Sequence, residues 1–326
     1  MRKKIFFLLL SFYLFLPAAA RAEIDSNQQF NDFTSFYYRS PSPNNVPQAM
    51  KYFIYSPLFR EGREERGEMI EVSAYFFGLA SQLDPFLLRK YAEIFETTDE
   101  PGKLFILSSF RVWRDKETES FLLAHKEGSP QAVRDKIGEV LSSAPEGNSR
   151  RLEGVKNYSD LNFLWMEFFV TGRKEPIERL IDVLSWEDVF RSKVNLWLKK
   201  KRGKDDKKRL SELIKNDLKL IIDLDKEDLG FSGDLDCVYG TTVMALYSQD
   251  KSRSDYGEAV RKKLGLSAED KLYMAAKGTV MWALYSNSKQ HPKVLQFCRE
   301  ELAARKDKSR NELQMIVNFA SPAAPR

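Results

Sequence analysis

Apolar residues recur at intervals of three and four along most of this chain, and no segment sustains the alternation of a half-buried strand. That pattern predicts an all-α protein. Gln28 to Tyr38 opens the series, with Phe30, Phe33 and Tyr37 on one face. Pro41 and Pro43 stop it, and Asn45 is placed to cap the next helix, which has Pro47 in its first turn and Met50, Phe53 and Ile54 inward. Phe59 to Glu68 reads as a charged loop. Helices then follow over 69–82, from Asp84-Pro85 onward with Phe86, Leu87 and Tyr91 inward, and over 102–113, 118–126 and 130–143. The polar stretch Ala144 to Lys156 carries Pro145, Gly147 and Gly154, and divides an N-terminal helical region, 23–150, from a C-terminal one, 151–326.

The second region starts with Tyr158 to Val170, dense in Leu161, Phe163, Leu164, Trp165, Phe168 and Phe169. Gly172 is expected just past its end, where a left-handed residue closes a helix. Pro176 starts the next helix, and further ones are predicted over 186–200, 206–224, 236–249, 256–264, 268–287, 292–306 and 310–319. One stretch recurs: Gly240 to Lys251 and Gly278 to Lys289 share seven of twelve positions at an offset of 38. A period of this size predicts stacked supersecondary units, and Leu246 and Leu284 should be equivalent buried positions. A looser pattern runs alongside, in which an aromatic helix end, a short link and a proline follow one another: Phe76-Phe77 with Pro85, Phe168-Phe169 with Pro176, Leu284-Tyr285 with Pro292. These are αα-hairpins. The expected fold is therefore an irregular α-solenoid of stacked αα-hairpins, one elongated or two-lobed helical body.

Residues 1–22 stand apart. Arg2, Lys3 and Lys4 precede the apolar run Ile5 to Leu16, and Ala20-Arg21-Ala22 supplies an A-x-A site, so a cleaved secretory signal peptide is expected, with cleavage after Ala22 and a periplasmic or secreted mature protein. The run is too short to span a bilayer, which takes about 20 apolar residues. Removing it changes the charge: 48 basic residues then face 47 acidic ones, and the net excess expected of a nucleic-acid binder is gone. Two cysteines give no disulfide framework, and two histidines leave no His-rich metal site.

The chemistry-bearing residues read mostly as structure. Cys298 and His291 lie seven residues apart, about 10.5 Å along a helix and beyond the reach of a nucleophile–base pair. Cys298 falls in the stripe Leu295, Cys298, Leu302 and is expected buried, and His291 at a cap or on the surface. A Cys237–Cys298 bond is permitted outside the cytoplasm, but the repeat register separates the two. His125 is expected in the last turn of its helix, donating to exposed carbonyls. The acidic segment 223–236 lacks the EF-hand spacing. The basic run Lys199 to Lys204, with Lys207, Lys208 and Arg209, reads as a solvated junction, with contact to an anionic surface as the alternative. Asn157-Tyr158-Ser159 is a glycosylation sequon where the machinery exists. Glu167 is expected on the exposed face of its helix, and the aromatics around Trp165 and Trp282 in the core. No catalytic, cofactor-binding or metal-binding residue is named by motif.

Three short strings carry a resemblance: Phe36-Tyr37-Tyr38 with Pro41 and Pro43; Trp165 to Gly172; and Trp282 to Asn287 with His291-Pro292 and Val294. In that order they resemble an uncharacterised family of exported, all-helical bacterial proteins. The resemblance implies the fold and the compartment, and no activity or cofactor. The expected function is non-enzymatic, a helical-repeat binding or adaptor module of the bacterial cell envelope whose partner is another envelope or secreted protein. The alternatives are a carrier of a lipid or other hydrophobic ligand and, third, a hydrolase built on carboxylates.

Overall fold

Side-chain acceptors and prolines start many of the helices in the computed structural model, which describes residues 24–61, 67–145, 155, 158–186, 258, 261–262 and 265–320. Among the described residues the protein is all-helical, with thirteen α-helices and no strand. Ser26, Asp99 and Asp115 each accept a hydrogen bond from a backbone N–H of the helix they precede. Ser267 and Asp270 form a reciprocal capping box. Asn45 occupies its expected place before a proline-bearing first turn, but its side chain makes no capping bond. The chain's contacts divide it into two compact units, residues 1–153 with 165–173, and residues 154–164 with 174–326.

The first unit holds α1 (Asn27–Phe36), α2 (Val46–Tyr55), the short α3 (Pro57–Arg60), α4 (Gly67–Leu83), α5 (Phe86–Thr97), α6 (Glu100–Val112), α7 (Lys116–Lys126) and α8 (Gln131–Ser142). Residues 165–171 of α9 (Tyr158–Thr171) also belong to it. Helices two apart in sequence pack on one another: α4 on α6, α6 on α8, and α5 on α7. α4 and α6 approach tightly at Gly78, where an added Cβ would lie 2.4 Å from the Val112 Cβ and 2.7 Å from the Ser109 carbonyl oxygen. Only glycine allows that approach. Around it runs an aromatic core, in which Phe53 and Phe105 have ring centroids 5.0 Å apart, Phe59 and Phe105 5.6 Å, and Phe77 and Phe105 5.8 Å. The Tyr91 hydroxyl, buried in this layer, donates to the Phe77 carbonyl at 3.0 Å.

Two expectations fail here. Phe59 is not in a loop: Ser56-Pro57 starts one further turn of helix, which carries its ring fully into the core. Phe86 is not inward but 54% exposed. It is the first residue of α5, so no preceding turn lies beneath its side chain. Gly172 behaves as expected, with φ 61° and its N–H donating to the Phe168 carbonyl at 2.7 Å.

The second unit holds α10 (Glu175–Leu184), α11 (Ala268–Gln290), α12 (Pro292–Ala304) and α13 (Ser309–Ala320). Each of these four packs against the other three. Ile177, Leu180, Ile181 and Leu184 of α10 meet a core shared by Val280, Leu284, Val294, Cys298, Leu313 and Ile316. Leu284 is fully buried, as the repeat predicts. Its twin Leu246 lies outside the described residues, together with the rest of 240–251, residues 1–22, the basic run 199–209, the acidic segment 223–236, Cys237 and Asn157.

Candidate functional site

In the first unit α5 and α7 pack side by side, and a groove of about 360 Å³ lies along them. Helical spacing builds its floor. Leu88 and Ala92 are one turn apart on α5, and Phe121 faces them from α7. Leu88 is buried, whereas Ala92 and Phe121 are half-buried, so apolar surface remains open at the base. The walls are polar. Arg89, Glu93 and Glu96 rise from α5, and Asp115, Glu117 and Thr118 from the start of α7.

Four carboxylates therefore face one guanidinium across an apolar floor. Asp115 is committed to structure, because its Oδ1 accepts from both the backbone N–H and the hydroxyl of Thr118 at 2.8 Å. The other three reach basic side chains of the chain itself. Glu117 Oε2 accepts from Arg89 Nη2 at 2.9 Å, Glu93 Oε1 from Lys90 Nζ at 2.8 Å, and Glu96 Oε1 lies 2.6 Å from His125 Nε2. The other ring nitrogen, Nδ1, lies 2.7 Å from the Phe121 carbonyl oxygen. His125 is in the last turn as expected, but its ring reaches back four residues to that carbonyl and to Glu96 instead of meeting the exposed carbonyls at the helix end, and it lies against Phe121 with centroids 4.1 Å apart.

The sequence-level candidates are placed as follows. Cys298 is free and fully buried, and burial pushes its thiol up to about 11, away from the thiolate a nucleophile needs. Its Sγ lies 3.8 Å from the Ser288 hydroxyl. His291 is the residue between α11 and α12, as expected of a cap, yet it is buried rather than on the surface and its side chain makes no capping bond. The tight join of the two helices, with its N–H donating to the Asn287 carbonyl, draws it in. Glu167 is 4% exposed, the reverse of its expected outward place. Its helix is apolar on nearly every face, so no face is left for solvent by pattern alone. Trp165 is in the core as expected. Trp282 is not: it is 68% exposed, its ring 5.8 Å from that of Tyr285, over which Lys289 Nζ sits at 4.2 Å. Among the described residues no group of three His, Cys, Asp or Glu side chains is arranged to hold a metal ion, and no helix is long and apolar enough to cross a membrane.

Comparison with known proteins adds no relative. No family model, curated protein or solved structure matches the chain. The groove therefore stands on its own geometry. Sequence reading named none of its residues, although one signal was present. Glu96 sits in the last turn of α5, where the helix dipole disfavours negative charge.

Proposed function

We propose that this chain is a non-enzymatic binding or adaptor module of the bacterial cell envelope, exported by its N-terminal leader, with the α5–α7 groove as its binding face. The observation that carries the reading is the groove itself: open apolar surface on Ala92 and Phe121 between charged walls, on a rigid pair of packed helices. Its volume falls at the small end of ligand pockets, which run about 300–1,000 Å³. That suits a few side chains of a partner. An acyl chain is a poorer fit, because carboxylates beside it would lose water without gaining a partner.

The finer architecture belongs to the same proposal. The packing of α4 on α6 on α8, and of α5 on α7, supports an irregular solenoid of stacked αα-hairpins over residues 67–142. Native mass spectra of the mature protein, purified gently from its own envelope fraction, test the function. A co-purifying protein at fixed stoichiometry supports the adaptor. A small apolar adduct of constant mass overturns it in favour of a carrier.

A further inference from the structure

We infer that the α5–α7 groove takes a cationic, amphipathic peptide segment, one that sets an apolar side chain on the Leu88–Ala92–Phe121 floor and Lys or Arg side chains against Glu93, Glu96 and Glu117. The inference rests on the binding-module reading and names the class of partner.

Charge complementarity selects the occupant. The lining presents four carboxylates against Arg89, with Lys90 at its edge, so the groove stays net acidic, and an anionic head group or a nucleic-acid backbone meets repulsion where a basic segment meets attraction. The carboxylates are also ready to exchange partners. Glu93 and Glu117 side chains are each 62% exposed and Glu96 51%, and ion pairs that open to water contribute little. A ligand's cation can replace Lys90 or Arg89 at little cost, while its neighbouring apolar group covers surface that water now touches. Glu96 lies in the last turn of α5, where the helix dipole disfavours negative charge, so a ligand's cation beside it meets a carboxylate that folding alone does not favour. The geometry is that of two packed helices offering a shallow trough, which suits a short segment laid along it.

The test uses the full mature chain and a fluorescein-labelled peptide of alternating Leu and Lys blocks that forms a helix with one apolar and one basic face. Two controls accompany it, one with Glu for every Lys and one with the same Lys count but Ser for every Leu. Fluorescence anisotropy is read at low salt and at physiological salt. The expected result is saturable binding of the first peptide only, weakened at least about tenfold by the double change Glu93→Gln/Glu117→Gln. It should be unaltered by Asp32→Asn/Asp135→Asn, which removes two carboxylates elsewhere in the same unit. All four side chains are exposed, and thermal melts confirm that each variant folds. Equal weakening by both double variants would show a general charge effect and overturn the proposal. Equal binding of the Ser control would remove the role of the floor and overturn it too, as would absence of binding by the unaltered protein. If the peptide fails while the native spectra show a protein partner, the adaptor reading survives and the groove does not carry it.

Discussion

The two units solve the same problem, burying helix faces, by different means. In the first, large rings meet between packed helices and most ion pairs, such as Arg89–Glu117, lie at the surface, although Arg114, paired with Glu119, is itself buried. In the second, four helices share one small aliphatic core, and charge is carried inward to the seams. Lys277 Nζ lies 3.2 Å from Glu312 Oε1, with the two side chains only 8% and 19% exposed, and reaches the Trp186 carbonyl at 3.4 Å. Lys174 Nζ meets Glu301 at 2.7 Å, and Arg305 Nε meets the same carboxylate from the other side at 2.7 Å. Burial works to raise the Glu301 pKa, but the bonds from Lys174 and Arg305 leave it lowered. Dispersion is spread over many contacts, whereas a buried charge depends on one or two. The first unit should therefore be most sensitive to a lost ring, and the second to a lost charge.

Phe105→Ala should give the largest effect. Phe105 touches the rings of Phe53, Phe59 and Phe77, and its removal leaves a cavity between three helices, costing about 3–5 kcal/mol. Hydrogen exchange read by mass spectrometry should show lost protection in peptides from 67–112. Protection in 268–320 should hold. Loss in both would mean that the units do not unfold separately.

Lys277→Met comes next. It strands the Glu312 carboxylate, whose Oε2 already has no hydrogen-bond partner, and breaking a buried pair costs about 3–5 kcal/mol, here toward the lower figure because Glu312 keeps some solvent. The double change Lys277→Met/Glu312→Leu should recover most of that loss in thermal melts. A double variant as unstable as the single one would show that the pair itself stabilises the unit.

Alkali should separate the units by a smaller margin. Cys298 is held neutral by burial, with its pKa raised from 9.0 to about 11, and Tyr37 in the first unit is raised from 10.0 to about 12, again by burial first and then by Asp84. Both are acids whose folded values lie above the unfolded ones. Each contributes stability that is fully present below the unfolded value and is lost as pH climbs toward the folded one. The second unit should thus weaken from about pH 9 and the first only from about pH 10. Melting temperatures recorded from pH 8 to 11 should show that order, and Cys298→Val should flatten the earlier slope. An unchanged slope in the variant would assign the alkaline loss to other groups.

Much of the fold was legible because proline, glycine and capping residues mark where helices start and stop whatever packs against them. Pro47, Pro176 and Pro292 each stand in the first turn of a helix, and Gly172 closes one with a left-handed residue. The groove was not legible for the opposite reason. Its floor joins Ala92 to Phe121, and its walls join Arg89 to Glu117, 28 positions away, so it exists only once α5 lies on α7. Periodicity names an apolar stripe but gives neither its width nor the partner that covers it. Where apolar residues fill every face it fails altogether, as around Glu167, and as in the short run of α11 where Met281, Trp282, Ala283, Leu284 and Tyr285 follow one another.

Trp282 offers the smallest effect and a direct check on that last point. Leu284 beside it is fully buried, and Leu284→Ala should cost about 2–5 kcal/mol. Trp282 is the larger side chain, and on composition alone would matter more. Its ring instead lies outward, touching Tyr285, and the loss of an exposed side chain away from caps and cavities stays within about 0.5 kcal/mol. Trp282→Ala should therefore leave the melting temperature of the second unit almost unmoved, and the fluorescence of Trp282 should be quenched readily by acrylamide. A cost of several kcal/mol would place the ring in a packed environment and turn the outward face of α11 into a buried one. A neutral change would leave the near repeat of Gly278 to Lys289 divided between two tasks, with Leu284 holding the core and Trp282, Tyr285 and Lys289 facing solvent.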